Sequence, residues 1–243
     1  GGCCGTTPEY IARLKAACAH IAPLPVTDKA LTVISSYTHA VYFGENPVLI
    51  GERINPTGKK RLKQALKEGE LSYVLGEAVK QQERGAHALD VNVGLPELNE
   101  PEVLEKCVSE IQAVTDLPLQ IDTSDPVAME RALRRYNGCP LINSVNGKKE
   151  SMREFFPLAA KYGGAIICLT LDEGGIPDSA EGRVRIARKI IRQAAKYGIG
   201  RNRLVFDTLA TAVSADSNAA NVTLGALEKI RKELGCNTSL GIS

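Results

Sequence analysis

Tryptophan is missing altogether, and the 243 residues hold only two methionines, four phenylalanines and three histidines. So little histidine argues against an imidazole-rich transition-metal centre. No apolar run approaches the roughly 20 residues that cross a bilayer, and the opening residues carry no signal-peptide pattern. Neither sign of charge dominates. At a net charge of +2 the Lys and Arg are spread over helix-like segments, which gives no case for a nucleic-acid surface. Cysteine occurs seven times, an odd count without the spacing of a small disulfide scaffold, and this reads as a reducing, cytoplasmic setting. Neither a membrane nor a nucleic acid is expected as a partner.

What is present is ordinary for a globular protein, at 44% hydrophobic and 24% charged. The length suits one (β/α)8 barrel, which takes about 250 residues. One pattern recurs: a short apolar run that stops at Asp or Asn. Its clearest case is Leu117-Pro-Leu-Gln-Ile-Asp122-Thr-Ser124-Asp125-Pro126, followed by a helix-like stretch with Arg131, Arg134 and Arg135. Ala88-Leu-Asp90-Val-Asn92-Val-Gly94, Leu141-Ile-Asn143-Ser144 and Leu204-Val-Phe-Asp207 repeat it. Polar residues at the carboxyl ends of successive strands are how an α/β barrel assembles a site.

Taken in order, Gly1-Gly-Cys3-Cys4-Gly-Thr-Thr-Pro8 resembles a strand end feeding a helix over 9–20. Two adjacent thiols could supply two ligands to zinc, but zinc normally takes four, and no third Cys or His follows at ligand spacing. Residues 21–46 are rich in Pro, Ser and Gly and read as a linker with one short strand near 31–35. From residue 47 strands and helices alternate. Strands are expected at 48–55, 88–93, 117–122, 140–144, 165–172, 203–207 and 238–242. Helices are expected at 61–67, 71–84, 101–115, 126–136, 150–162, 180–197 and 221–235. A closed barrel has eight strands, so the pattern is a TIM barrel that stops after strand seven. The expected divisions are a piece of a preceding domain (1–20), a linker (21–46) and an incomplete barrel (47–243).

Glu52, Asn55, Asp90, Asn92, Asp122, Ser124, Asn143, Asn146, Asp172 and Asp207 all fall where strands end. Any one of them could be a helix cap or turn residue, and Asp125 before Pro126 and Ser151 read that way. Capping does not require Asp or Asn at the ends of four strands at once, which favours a shared ligand site. Carboxylates and amides without a ring of Lys or Arg do not suit a phosphate-rich ligand. They suit a flat heterocycle whose N–H donors a carboxylate accepts in pairs, such as the 2-amino-4-oxopyrimidine edge of a pterin. His87 enters a strand and is expected to be packed or edge-exposed.

Ile50-Gly-Glu-Arg-Ile-Asn55, Leu89-Asp-Val-Asn-Val-Gly94, Ile121-Asp122, Ile142-Asn-Ser144, Phe206-Asp207 and Leu240-Gly-Ile-Ser243 together resemble the pterin-binding methyltransferase barrels. These include the folate domain of cobalamin-dependent methionine synthase and the methyltetrahydrofolate:corrinoid/iron–sulfur protein methyltransferases. The Cys3-Cys4 opening resembles the end of the homocysteine-binding barrel that precedes the folate domain in the former. The resemblance implies that Asp122, Asn143 and Asp207 hold the pterin of 5-methyltetrahydrofolate, with Asp90 and Asn92 beside it and Glu52 and Asn55 lining the pocket. It implies that Cys3 and Cys4 are zinc ligands in a whole protein that activates homocysteine. It further implies a cobalamin on a corrinoid-binding partner domain as the methyl acceptor, and a homocysteine-binding domain as neighbour. The iron–sulfur-protein methyltransferases and a non-catalytic pterin-binding module are the alternatives. In the family the last motif runs on into an Asn that contacts N5 of the folate, and the sequence stops at Ser243, before that position.

Overall fold

A computed structural model describes residues 2–25, 27, 29–210 and 218–241, and divides them into two units, 1–30 and 31–243. Gly1 and the final Ile242-Ser243 of the last motif lie outside the described residues. The first unit holds helix α1 (Pro8–Cys18), with Pro at its first position and none of its residues buried.

The second unit is built on seven parallel strands in sequential order: β3 (Ile50–Ile54), β4 (Ala88–Val91), β5 (Leu119–Asp122), β6 (Leu141–Asn146), β7 (Ala165–Leu169), β8 (Leu204–Asp207) and β9 (Asn237–Ser239). Helices lie between them: α2 (Lys60–Glu68), α3 (Leu71–Glu83), α4 (Glu100–Val114), α5 (Pro126–Arg135), α6 (Lys149–Tyr162), α7 (Ala180–Ala195) and α8 (Ala219–Leu234). This is the expected strand–helix alternation of a TIM barrel, with seven strands curled into an open barrel among the described residues. Helix boundaries follow local chemistry. Asp125 caps α5 by accepting from Val127 N at 2.8 Å, and Ser179 caps α7 by accepting from Gly182 N at 3.2 Å. Gly69 closes α2 at φ 67°, a left-handed conformation that costs a glycine little.

The region read as a linker contains more structure than one short strand. Within 21–46, β1 (Thr32–Ser35) and β2 (Ala40–Phe43) form an antiparallel hairpin. It packs at the amino-terminal ends of the barrel strands. Ile34 and Val41 share a core with Ala88, Leu141, Ala165, Ile167 and Val205, and Ser35 bridges to Cys139 just before β6. A larger core on the other face joins Leu89, Val91, Leu119, Ile121, Ile142, Cys168 and Phe206 to the helices. Two apolar layers separated by one sheet require strands that alternate faces, which sets the direction of every side chain in the site.

Candidate functional site

Along each strand, every second residue faces the barrel interior. Ala88, Leu141, Ala165, Ile167 and Val205 form its apolar floor. Two residues further on stand Asp90, Asn143 and Asp207, and the next inward position on β4's extension is Asn92. On β5 the inward pair is Gln120 and Asp122. Strand register sets Asp90 opposite Gln120 and Asp122 opposite Asn143. The polar layer is therefore a product of alternation: the same face that is apolar at the bottom becomes carboxylate and amide at the carboxyl ends.

Asp90 is the most deeply placed, with 1% of its surface exposed. Gln120 Nε2 donates to Asp90 Oδ1 at 2.5 Å, while Asp90 Oδ2 and Gln120 Oε1 are buried without a hydrogen-bond partner. Burial raises the Asp90 carboxyl well above the usual range, helped by the charges of Asp122 and Glu52 and opposed by the Gln120 and Asn143 amides.

Asn92 Nδ2 donates to Asp122 Oδ2 at 3.0 Å, and Asn92 Oδ1 accepts from Gly94 N at 2.9 Å, so the Asn is oriented at both ends. Burial also raises the Asp122 carboxyl. The Asn92 bond opposes that shift, and the charges of Glu52 and Glu100 add to it. Both acids thus feel the charge of Glu52, an exposed side chain whose Oε1 accepts from Asn55 Nδ2 at 3.1 Å. Asp207 accepts from Leu209 N at 2.7 Å through Oδ1. Its carboxyl is raised by burial, against the Leu209 and Gly241 amides and the charge of Arg183.

The remaining strand-end residues have local roles. Asn146 Oδ1 accepts from Lys148 N, and Asp172 Oδ1 accepts from Gly174 N. Asp172 also lies 3.6 Å from Lys189 and lines a different cavity, of about 470 Å³, with Pro177, Arg185 and Arg192. His87 is exposed and accepts from Leu49 N through Nδ1. Arg131 and Arg135 pair with Glu105, and Arg134 pairs with Glu130. Two residues went unnoticed in the sequence. Gln120 was absorbed into an apolar run, although its i, i+2 spacing from Asp122 puts both on one face. Glu100, which accepts from Thr123 Oγ1 and adds to the Asp122 shift, falls just before the helix expected at 101–115 and is the first residue of α4.

A family model described as pterin binding enzyme matches residues 51–243, which covers all seven strands of the sheet except Ile50. The chain belongs to the pterin-binding enzyme family. Two curated relatives are the methionine synthases of Mycobacterium leprae, 28% identical over 261 residues, and Mycobacterium tuberculosis, 29% identical over 256. Each alignment covers 100% of the chain but 22% of the relative, so the chain spans about a fifth of the length of these proteins. Among solved structures, dihydropteroate synthase of Xanthomonas albilineans with 4-aminobenzoic acid superposes at TM-score 0.68 and 19% identity, over 87% of the chain and 77% of that structure. The Yersinia pestis enzyme with a pterine-sulfa conjugate superposes at TM-score 0.64 and 19% identity, with the same coverage of 87% and 77%. At that identity the likeness is one of fold.

Cys3 and Cys4 are exposed thiols, and no group of three or more potential ligands gathers among the described residues. Two donors do not satisfy zinc, so the described residues do not fit a zinc site on their own. No described helix is long and apolar enough to cross a membrane.

Proposed function

We propose that the chain binds 5-methyltetrahydrofolate by its pterin at the carboxyl-end mouth of the barrel and presents the N5-methyl group to the Co(I) corrinoid of a partner domain, as one step in making methionine from homocysteine. The observation that carries this reading is the inward-facing polar layer, with acceptor oxygens on four strands and two of them orphaned beneath the mouth. The full-length alignment of the chain with methionine synthases supports the choice among pterin chemistries.

Asp122 has one oxygen committed to Asn92 and the other free to accept from the pyrimidine edge. Asn143 offers both a donor and an acceptor beside it, and Asp207 closes the opposite side of the ring. Asn92, Glu52 and Asn55 line the pocket, with the Asp90–Gln120 pair beneath. The corrinoid supplies the nucleophile. The leaving atom is a tertiary amine, which departs poorly unless N5 gains a proton or a strong hydrogen bond. Carboxylates clustered at the mouth favour that developing positive charge, and their placement before the reaction begins avoids reorganisation during it. The barrel residues orient the donor and stabilise its charge, and none of them attacks the methyl carbon. Homocysteine activation belongs to a neighbouring domain, to whose zinc Cys3 and Cys4 would contribute two of the donors.

The test is to mix the chain with 5-methyltetrahydrofolate and chemically reduced cobalamin and follow loss of the Co(I) absorbance. Methylcobalamin formed at a rate that scales with protein supports the reading. Saturable folate binding without transfer reduces the chain to a pterin-binding module, and no folate binding by a folded chain sinks the reading.

A further inference from the structure

Arg183 is the largest wholly enclosed side chain of the molecule, at 2% exposure, and it makes no ion pair among the described residues. A buried guanidinium without a carboxylate at salt-bridge distance is costly unless its donors are all engaged. Here Nε and Nη1 are spent on backbone carbonyls and a hydroxyl, the two Nη1 hydrogens being shared among three acceptors. Nε donates to Pro177 O at 3.0 Å, while Nη1 donates to Thr208 O at 2.6 Å, Leu209 O at 2.9 Å and Thr223 Oγ1 at 2.9 Å. Arg183 on α7 thereby ties together the loop before its own helix, the first residues after β8, and α8.

The residue it grips has an unusual backbone. Leu209 sits at φ +62°, a left-handed conformation seldom adopted by a side-chain-bearing residue and kept only where surroundings enforce it. That conformation turns the Leu209 N–H toward Asp207 Oδ1, at 2.7 Å, while its carbonyl points to Arg183. Thr223 Oγ1 reaches the same carbonyl at 3.3 Å. One peptide segment therefore connects guanidinium to carboxylate.

We propose that Arg183 is a positioning residue for Asp207: it locks Leu209 in the left-handed conformation and so fixes the carboxylate that faces the pterin. This rests on the folate reading above, but the clamp itself can be tested without a ligand. Arg183→Lys keeps a cation and loses the fork. It should free the Leu209 amide to exchange faster and raise the Asp207 carboxyl pKa measured by carbon-13 NMR in the ligand-free chain. It should also weaken 5-methyltetrahydrofolate about tenfold in an otherwise wild-type chain, yet less than twofold in an Asp207→Asn background, because coupled residues are non-additive. Thr223→Val, a milder change, should show the same pattern at smaller size and covers the case of a lysine variant that does not fold. Equal weakening in both backgrounds, or an unmoved Asp207 pKa, overturns the proposal in favour of a purely structural arginine. If the wild-type chain binds no folate, the functional reading fails, and the exchange and pKa measurements still decide the clamp.

Discussion

Replacing Asp90 with Asn should make the protein more stable and less functional. The wild-type carboxylate is enclosed, holds one hydrogen bond from Gln120, and leaves Oδ2 and the neighbouring Gln120 Oε1 unpaired. Asparagine keeps Oδ1 as the acceptor for Gln120 Nε2, removes the buried charge, and puts an N–H donor in place of one orphaned oxygen, beside an amide whose own oxygen lacks a partner. Satisfying a buried polar group is worth about 1–3 kcal/mol. At the 2–4 °C per kcal/mol typical of a domain this size, that is a Tm rise of roughly 2–12 °C. The pH dependence gives the argument its sign. Burial raises the folded-state pKa of Asp90 above its unfolded value, so the folded state binds the proton more tightly. The contribution of Asp90 to stability is therefore greatest below the ordinary carboxylate range and is lost as pH rises through the raised value. The gain from Asp90→Asn should be small near pH 4 and grow with pH. Urea denaturation of both proteins at a series of pH values measures it. A variant less stable than wild type at neutral pH, or a gain that shrinks as pH rises, would refute the idea that Asp90 is a charge the fold tolerates for its ligand.

Three further outcomes are expected. Asp122→Asn turns the free acceptor into a donor facing the pterin N–H groups, and the loss of a hydrogen bond to a charged group, about 1.5–3 kcal/mol, should weaken 5-methyltetrahydrofolate roughly 10–150-fold by calorimetric titration while the melting curve stays cooperative. Gly138→Ala should destabilise by about 2–3 kcal/mol in urea, because the new Cβ meets the Ser35 carbonyl oxygen at a φ of +151°. Asp125→Ala removes the cap of α5 and should cost about 1 kcal/mol with folate affinity unchanged, which separates a capping carboxylate from its near neighbour Asp122.

Most barrel strands were legible because they pair an apolar run with a polar stop, β9 (Asn237-Thr-Ser239) being the exception, and the helices because their apolar stripes recur at helical spacing. The same grammar located Asp90, Asn92, Asp122, Asn143 and Asp207 on one face, and the capping of α5 by Asp125 followed from the Pro beside it. Three things were hidden. Of the β1–β2 hairpin only the first strand was expected; the second is four residues long beside Ser and Gly, and its alternation is too short to stand out from a linker. Gln120 is polar between Leu119 and Ile121 in a strand that ends at Asp122, and only its register opposite Asp90 gives it meaning. Arg183 lies in a helix that also carries Arg185, Arg188, Lys189 and Arg192, and composition does not reveal which of five cations is turned inward.

The hairpin at the barrel floor also bears on how the molecule is made. Thr32 Oγ1 donates to Asn202 O at 2.6 Å across a separation of 170 residues, and accepts from Asn237 Nδ2 at 2.8 Å across 205. On the ribosome this segment emerges long before the partners that satisfy it. At the roughly 5–20 residues per second of synthesis, Thr32 waits on the order of 10–40 seconds for these two partners. A clasp whose halves are born so far apart cannot nucleate folding. These two bonds can close only after the local strand–helix units between them have been made.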